Sequence, residues 1–215
     1  YCSIVLLCTR LEKLLPTTRS RCQTVRFGPI DEGRTVEKLQ GVGLADVQSL
    51  YFARLAQGSL GAACKWAQLE LAGTDLYEIK KRLLGSLARY EFADALDLAQ
   101  ELLADCKKIA DKWADLDEAT SRTDINRRAM GTVIAMIVSA LHDAMRLNAA
   151  PAKEPVNLDQ KEQIRELAAR FDAERAAEKI AECYRMLGWM ESSVNEKLIF
   201  EQLLLNLADS DTIKL

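Results

Sequence analysis

From Asp31 onward, apolar residues recur every three or four positions, which is the spacing of a helix with one buried face. Glycines separate three short segments that have this period. The helices predicted there cover 34–40, 45–56 and 60–71. Gly73 ends the third helix, and Thr74 is placed to cap the next one with its hydroxyl group. The sequence therefore predicts a three-helix unit over 31–73 with a domain boundary at its end.

The remainder of the chain, 74–215, shows the same period over longer stretches and predicts a bundle of about five helices. The helices predicted there cover 75–89, 91–117, 123–147, 158–187 and 193–208. The fourth helix allows a break near Asp172. Two prolines in Ala149–Val156 make a linker before it, because proline removes an amide donor and bars helix continuation. Met130–Leu141 is apolar nearly all round, which predicts the central helix of the bundle.

The first thirty residues follow a different pattern. Cys2–Cys8 is a continuous apolar run with β-branched residues, typical of a strand buried on both faces of a parallel sheet. Gln23–Phe27 alternates like a second short strand before Gly28 and Pro29 stop it. Two isolated strands do not make a stable domain, so we expect the rest of a sheet upstream of Tyr1. On this interpretation the chain is a fragment of a longer protein.

Composition agrees with packed helices and argues against several functional classes. Only 6% of the 215 residues are aromatic, and glycine and proline are scarce, which disfavours an all-β fold. The net charge is −3 without a long run of like charge, so no dedicated nucleic-acid surface is expected. Neither a signal sequence nor a run of roughly 20 apolar residues is evident. We therefore expect a cytoplasmic protein that does not contact a membrane.

The sequence predicts neither a metal site nor a nucleotide cradle. None of the six cysteines has a neighbour at the spacing that a zinc knuckle needs, which favours reduced, mostly buried thiols. The pattern GxxxxGK[ST], whose backbone N–H groups and lysine hold phosphates, is absent from the chain. We expect no cofactor and no metal to be bound by this chain alone.

The stretch Leu14–Phe27, LLPTTRSRCQTVRF, closely resembles the segment of AAA+ clamp-loader subunits that carries a Ser-Arg-Cys motif. The motif residues are Ser20, Arg21 and Cys22. The preceding CSIVLLCTR resembles the sensor 1 strand of that family. Arg10 stands where the family often has asparagine, which implies a degenerate nucleotide site in this subunit.

Two further segments resemble the same family in the expected order. ARLAQGSLGAACKWAQ, beginning at Ala53, resembles the sensor 2 helix of the lid domain. ATP-hydrolysing relatives usually carry an arginine shortly after the Gly-Ser pair, whereas this chain has Leu60 and Gly61, which favours the delta-prime type. Ser192–Ala208 resembles the last helix of the collar that joins the subunits. The positions that match the collar pattern are Asn195, Leu198, Glu201, Leu203 and Leu204.

The resemblance implies a mainly α fold in three parts. Residues 1–30 would be the end of an AAA+ α/β core, 31–73 the helical lid, and 74–215 the collar bundle. Arg21 would be an arginine finger that reaches the ATP of a neighbouring subunit, Ser20 would cap the adjoining helix end, and Cys22 would pack beneath it. The alternative interpretation from spacing alone is that Arg21 lies in a solvated loop and forms weak surface pairs.

The function implied is that of a delta-prime-like subunit of bacterial DNA polymerase III. It would assemble with gamma/tau and delta-type subunits, and reach the sliding clamp and primed DNA through that complex. No catalysis is expected from the chain itself. One alternative is the C-terminal part of a gamma/tau-type ATPase whose P-loop lies upstream, and another is a helical adaptor outside replication.

Overall fold

The computed structural model describes residues 2–8, 11–149, 154–190 and 196–208. Within these ranges all regular structure is helical, which confirms the mainly α fold class. The α-helices are α1 (Pro16–Arg19), α2 (Glu32–Gly41), α3 (Asp46–Leu55), α4 (Leu60–Leu69), α5 (Leu76–Ala88), α6 (Ala95–Leu116), α7 (Arg122–Ala149), α8 (Lys161–Arg170), α9 (Ala173–Trp189) and α10 (Glu196–Leu207). Short 3₁₀ turns precede α1, α6 and α8.

The three short helices predicted between 31 and 73 are present as α2, α3 and α4. Asp31 caps α2, because its carboxylate accepts a hydrogen bond from the backbone N–H of Arg34 at 3.2 Å. Ser59 caps α4 in the same way through the N–H of Ala62 at 3.4 Å. Whether this unit is a separate domain stays a prediction.

The capping role predicted for Thr74 is wrong. Gly73 and Asp75 both adopt positive φ angles, +81° and +58°, so the chain turns on either side of Thr74 and α5 begins at Leu76. Asp75 therefore occupies the N-cap position. The hydroxyl of Thr74 is buried and has no hydrogen-bond partner in the part of the chain that the structure describes.

The helix α7 lies at the centre of the bundle, as its all-round apolar sequence predicts. It packs against α6, α8 and α9, while α10 packs against α6 and α9. By length and composition α7 could cross a membrane, but 67% of its most apolar window is buried inside the protein, as expected of a core helix. The predicted break near Asp172 is confirmed, since α8 ends at Arg170 and α9 begins at Ala173. Asp172 caps α9, because its carboxylate accepts a hydrogen bond from the N–H of Arg175 at 2.8 Å.

The strands predicted at Cys2–Cys8 and Gln23–Phe27 are wrong for this chain. Both segments are described, and neither has a strand partner within the described ranges. Their apolar side chains are exposed, to 80% at Ile4 and 91% at Phe27. A strand is stable only when neighbouring backbone groups accept and donate its hydrogen bonds, and the described residues offer none to these segments.

One backbone hydrogen bond between described residues joins the segment before α2 to the turn between α3 and α4. The N–H of Ile30 donates to the carbonyl of Gly58 at 3.0 Å. Gly58 has a φ of +86°, and a Cβ atom there would lie 2.3 Å from the Cβ of Pro29. The turn between α3 and α4 therefore requires glycine for both its backbone conformation and this close approach.

Tyr90 links the end of α5 to α10, since its hydroxyl donates to the carbonyl of Leu204 at 2.7 Å. Burial raises the pKa of Tyr90 to about 12. We expect Tyr90→Phe to lower the free energy of unfolding by about 1 kcal/mol at pH 7, the usual contribution of one hydrogen bond. Between pH 10 and 12 this difference should shrink, because the unfolded tyrosine ionises there while the folded one does not.

Urea denaturation of the wild type and Tyr90→Phe across pH 7–11.5 checks this expectation. Other buried groups titrate in both proteins, so their effects cancel in the difference. A difference that stays constant or widens above pH 10 would contradict the burial of this hydroxyl group.

Candidate functional site

The Ser-Arg-Cys motif lies at the end of the short helix α1. Pro16 starts this helix at a position where the missing N–H costs nothing. Ser20 is the C-cap residue, with its N–H donating to the carbonyl of Pro16 at 3.0 Å and its hydroxyl to that of Thr17 at 3.2 Å. Ser20 thus lies at the adjoining helix end, where the sequence places it.

The guanidinium group of Arg21 projects from the turn that follows α1. Arg21 is exposed, and its side chain makes no hydrogen bond or ion pair with any other described residue. Arg19 and Arg26 are exposed as well. The surface pairs of the alternative interpretation are therefore not seen at Arg21. All of its N–H donors remain available to an acceptor from another molecule.

Cys22 does not pack beneath the helix end, and that prediction is wrong. Cys22 is exposed, because none of the described residues covers the motif. The wider expectation of mostly buried thiols is also wrong: Cys106 and Cys183 are buried and Cys64 is half-buried, whereas Cys2 and Cys8 are exposed like Cys22. Thr9 and Arg10, at the end of the sensor 1 resemblance, lie outside the described residues.

In the region that resembles sensor 2, the structure shows the N-terminal cap and the first turn of α4. Ser59 caps α4, Leu60 is half-buried and Gly61 is exposed. The nearest cation on α4 is Lys65, which lies 4.0 Å from the carboxylate of Asp117. The first turn of α4 therefore carries no charge that could neutralise a phosphate.

The matched collar positions fall on two different faces of α10. Leu198 is 57% exposed, and Glu201 forms an ion pair with Lys197 at 3.5 Å. Leu203 and Leu204 are fully buried, because α6 and α9 cover their face of the helix. The expectation that these two leucines contact another subunit directly is corrected: they fill the core of their own bundle. Asn195 lies outside the described residues.

An ion pair with one buried partner, which the sequence pattern does not reveal, lies between α5 and the 3₁₀ turn before α8. The ammonium of Lys80 is fully buried and lies 2.5 Å from the carboxylate of Asp159. It also lies 4.7 and 4.9 Å from the ring centres of Tyr51 and Tyr77, a distance at which the rings attract a cation. Burial lowers the pKa of Lys80 despite the hydrogen bond to Asp159.

A second buried polar group lies beside this pair. Asp143 on α7 accepts hydrogen bonds from the backbone N–H groups of Val156 and Asn157, at 3.0 and 2.9 Å. The side-chain amide of Asn157 donates to Asp143 at 2.8 Å and to the hydroxyl of Ser139 at 3.2 Å. Asp143 therefore holds the chain in place just before α8. Its role is not evident from the sequence, since its partners lie 13 or more residues away.

A cleft between α5 and α6 does not have the composition of a catalytic site. It has a volume of about 520 Å³. Its polar lining includes Arg82, Arg89, Asp97 and Glu101, so both signs of charge are present. Within the described ranges, no three His, Cys, Asp or Glu side chains are grouped as metal ligands would be.

The comparison with protein families matches residues 100–209 to the family described as DNA polymerase III, delta subunit, C terminal. The chain belongs to this family. The match covers about half of the chain, from within α6 to the end of α10, which is most of the collar-like bundle. A comparison with curated protein sequences gives no match. Membership of the DNA polymerase III delta-subunit family confirms the resemblance to clamp-loader subunits, while the Ser-Arg-Cys motif and the lid lie outside the matched residues.

Proposed function

We propose that this member of the DNA polymerase III delta-subunit family is a clamp-loader subunit of the delta-prime type. It assembles in the cytoplasm with gamma/tau and delta-type subunits, and the assembly loads the sliding clamp onto primed DNA. The observation that carries the clamp-loader part of the proposal is the family match over 100–209, which includes α10, the helix that resembles the last helix of the collar. The subunit contributes contacts and one charge, not catalysis of its own.

The second part of the proposal is that Arg21 serves as an arginine finger for the ATP of a neighbouring subunit. Phosphoryl transfer spreads negative charge over the γ-phosphoryl oxygens, and a guanidinium stabilises that charge with two parallel hydrogen bonds. Such a group has to be exposed and unpaired before assembly. With respect to the residues that the structure describes, Arg21 meets both conditions, and hydrogen bonds at Ser20 hold the turn before it.

The delta-prime assignment rests on the lid helix. An ATP-hydrolysing relative would place an arginine near Leu60 and Gly61, where this chain has no cation. This feature supports a subunit that acts on a nucleotide held by another chain.

Exposed apolar side chains on the bundle support assembly with other subunits. Leu198 on α10 is 57% exposed and Tyr184 on α9 is 54% exposed. Tyrosine is enriched in protein–protein interfaces, and an exposed leucine adds apolar surface that a partner could cover.

Assembly is tested by mixing the full-length protein with the matching gamma/tau and delta-type subunits at micromolar concentrations. Size exclusion with light scattering should show one complex heavier than any component. Separate elution of this protein across the concentration range contradicts the proposal.

The gamma/tau alternative is tested in the same preparation by equilibrium binding of a labelled ATP analogue to the full-length protein alone. The delta-prime assignment expects no binding without the other subunits. Tight binding by the isolated protein would support a motor subunit with its own P-loop and overturn this part of the proposal.

A further inference from the structure

The segment 154–160 before α8 contacts helices from both predicted units, and we call it the brace. On the side of the short helices, the guanidinium of Arg54 in α3 pairs with Glu154 and donates to the carbonyl of Pro155 at 2.8 Å. On the bundle side, Asp159 pairs with Lys80 of α5. The brace therefore contacts α3 through the half-buried Arg54 and α5 through the buried Lys80.

Arg54 also reaches the start of α2. Its Nε lies 3.1 Å from the carboxylate of Glu32, and only 10% of the Arg54 side chain is exposed. One guanidinium thus joins two of the short helices to the brace. Its two carboxylate partners are themselves accessible to water, since the side chain of Glu32 is 49% exposed and that of Glu154 is 72% exposed. The part-buried contact is the hydrogen bond from Arg54 to the carbonyl of Pro155.

Lys80 is enclosed by residues from both sides. Tyr51, which covers its ammonium at 4.7 Å, belongs to α3, whereas Tyr77 at 4.9 Å lies on α5 itself. If α3 moved away from the bundle, Lys80 and Asp159 would lose this cover and Tyr51 would lose its buried contacts. The ion pair therefore links the position of α3 to that of the brace.

The brace is in turn fixed to the bundle. Asp143 of α7 holds the backbone of Val156 and Asn157, and the side-chain amide of Gln160 donates to the carbonyl of Lys81 at 2.9 Å. The hydrogen bond from the N–H of Asn157 to Asp143 is buried, so water does not readily replace it, and the other two are part-buried. These contacts connect α2 and α3, through Arg54 and the brace, to α5 and α7.

We infer that the brace locks helices α2–α4 onto the helical bundle, so that lid and bundle move as one body rather than about a free hinge at Gly73. The inference depends on the contacts of Arg54, Lys80 and Asp159 and not on the proposed function. As a consequence, a tilt of helices α2–α4 is accompanied by the same tilt of the bundle.

Amide hydrogen exchange of the full chain tests the brace in two variants. Arg54→Gln removes both ion pairs of the guanidinium, and Asp159→Asn removes the charge that faces Lys80. In each variant, exchange in α2 and α3 should become about tenfold faster or more, as expected of local opening, while exchange in α9 stays unchanged. The readout is thus regional, which separates a lock from a general loss of stability.

The matched control is Arg82→Gln, which removes an ion pair of similar length, 2.5 Å, between Arg82 and Asp105. That pair joins α5 to α6 within the bundle, so α2 and α3 should exchange as in the wild type. Unchanged exchange in α2 and α3 of Arg54→Gln overturns the inference, as does equal acceleration throughout the chain. If Asp159→Asn fails to fold, Arg54→Gln decides alone.

Discussion

Arg21→Ala in the full-length protein should slow ATP turnover by the reconstituted clamp loader while the complex still forms. At the site that receives this guanidinium, the expected loss is about 10³-fold or more, the range seen when an arginine finger is removed from a nucleotide hydrolase. The reason is electrostatic. Without the guanidinium, the charge that develops on the γ-phosphoryl oxygens has no donor in a dry interface, where water cannot replace it.

The measurement is steady-state ATP hydrolysis by the assembled complex, with complex formation checked by size exclusion. Arg26→Ala is the matched control, since Arg26 is an exposed arginine in the same segment but outside the motif. Arg21→Lys should restore only part of the rate, because an ammonium lacks the planar fork that binds two oxygens. Unchanged turnover in Arg21→Ala, or an equal loss in Arg26→Ala, would contradict the role of Arg21 as an arginine finger.

Leu203→Ala should lower the free energy of unfolding of the chain by about 2–5 kcal/mol, the range for a large side chain deleted from a packed core. Leu203 is fully buried on the face of α10 that α6 and α9 cover. The loss combines the hydrophobic contribution of the deleted methyl groups with the cavity they leave. Urea denaturation of the chain without partners measures it directly.

Leu198→Ala is the control on the same helix, because Leu198 is 57% exposed. Its effect on unfolding should stay within about 0.5 kcal/mol, as for most surface substitutions. In the mixed complex, however, Leu198→Ala should weaken association if this face of α10 meets another subunit. Equal costs of unfolding for the two variants would show that α10 is not packed in the chain's own bundle.

The helices could be predicted from the sequence because their signals are local. A period of three to four residues, capping residues such as Ser59, and the break at Asp172 are all encoded within a few positions. The fold class and the central position of α7 follow from the same pattern.

The strands could not be predicted correctly, because β structure depends on partners distant in the chain. An apolar run such as Cys2–Cys8 indicates that a strand could form there, but it does not supply the neighbouring strand. The capping role of Thr74 failed for a different, local reason, since the turn at Gly73 and Asp75 shifts the start of α5 by one residue.

Which face of α10 is buried could not be predicted from the sequence either. A resemblance identifies which positions match a family, but Leu198 and Leu203 match equally well while one is exposed and the other buried. Lys80 gave no signal at all, because it lies in a run of basic residues and its partner Asp159 is 79 positions away. Only the packing of α3 and α5 around it shows that this lysine is enclosed.

The most direct test of the central claim is a structure of the assembled complex with a slowly hydrolysed ATP analogue, in which the distance from Arg21 to the nucleotide is measured. The account predicts that the guanidinium of Arg21 lies within hydrogen-bond reach, about 3 Å, of the γ-phosphate held by a neighbouring subunit. A structure in which Arg21 is paired within its own chain, or in which the nearest nucleotide is bound entirely by this chain, would contradict it.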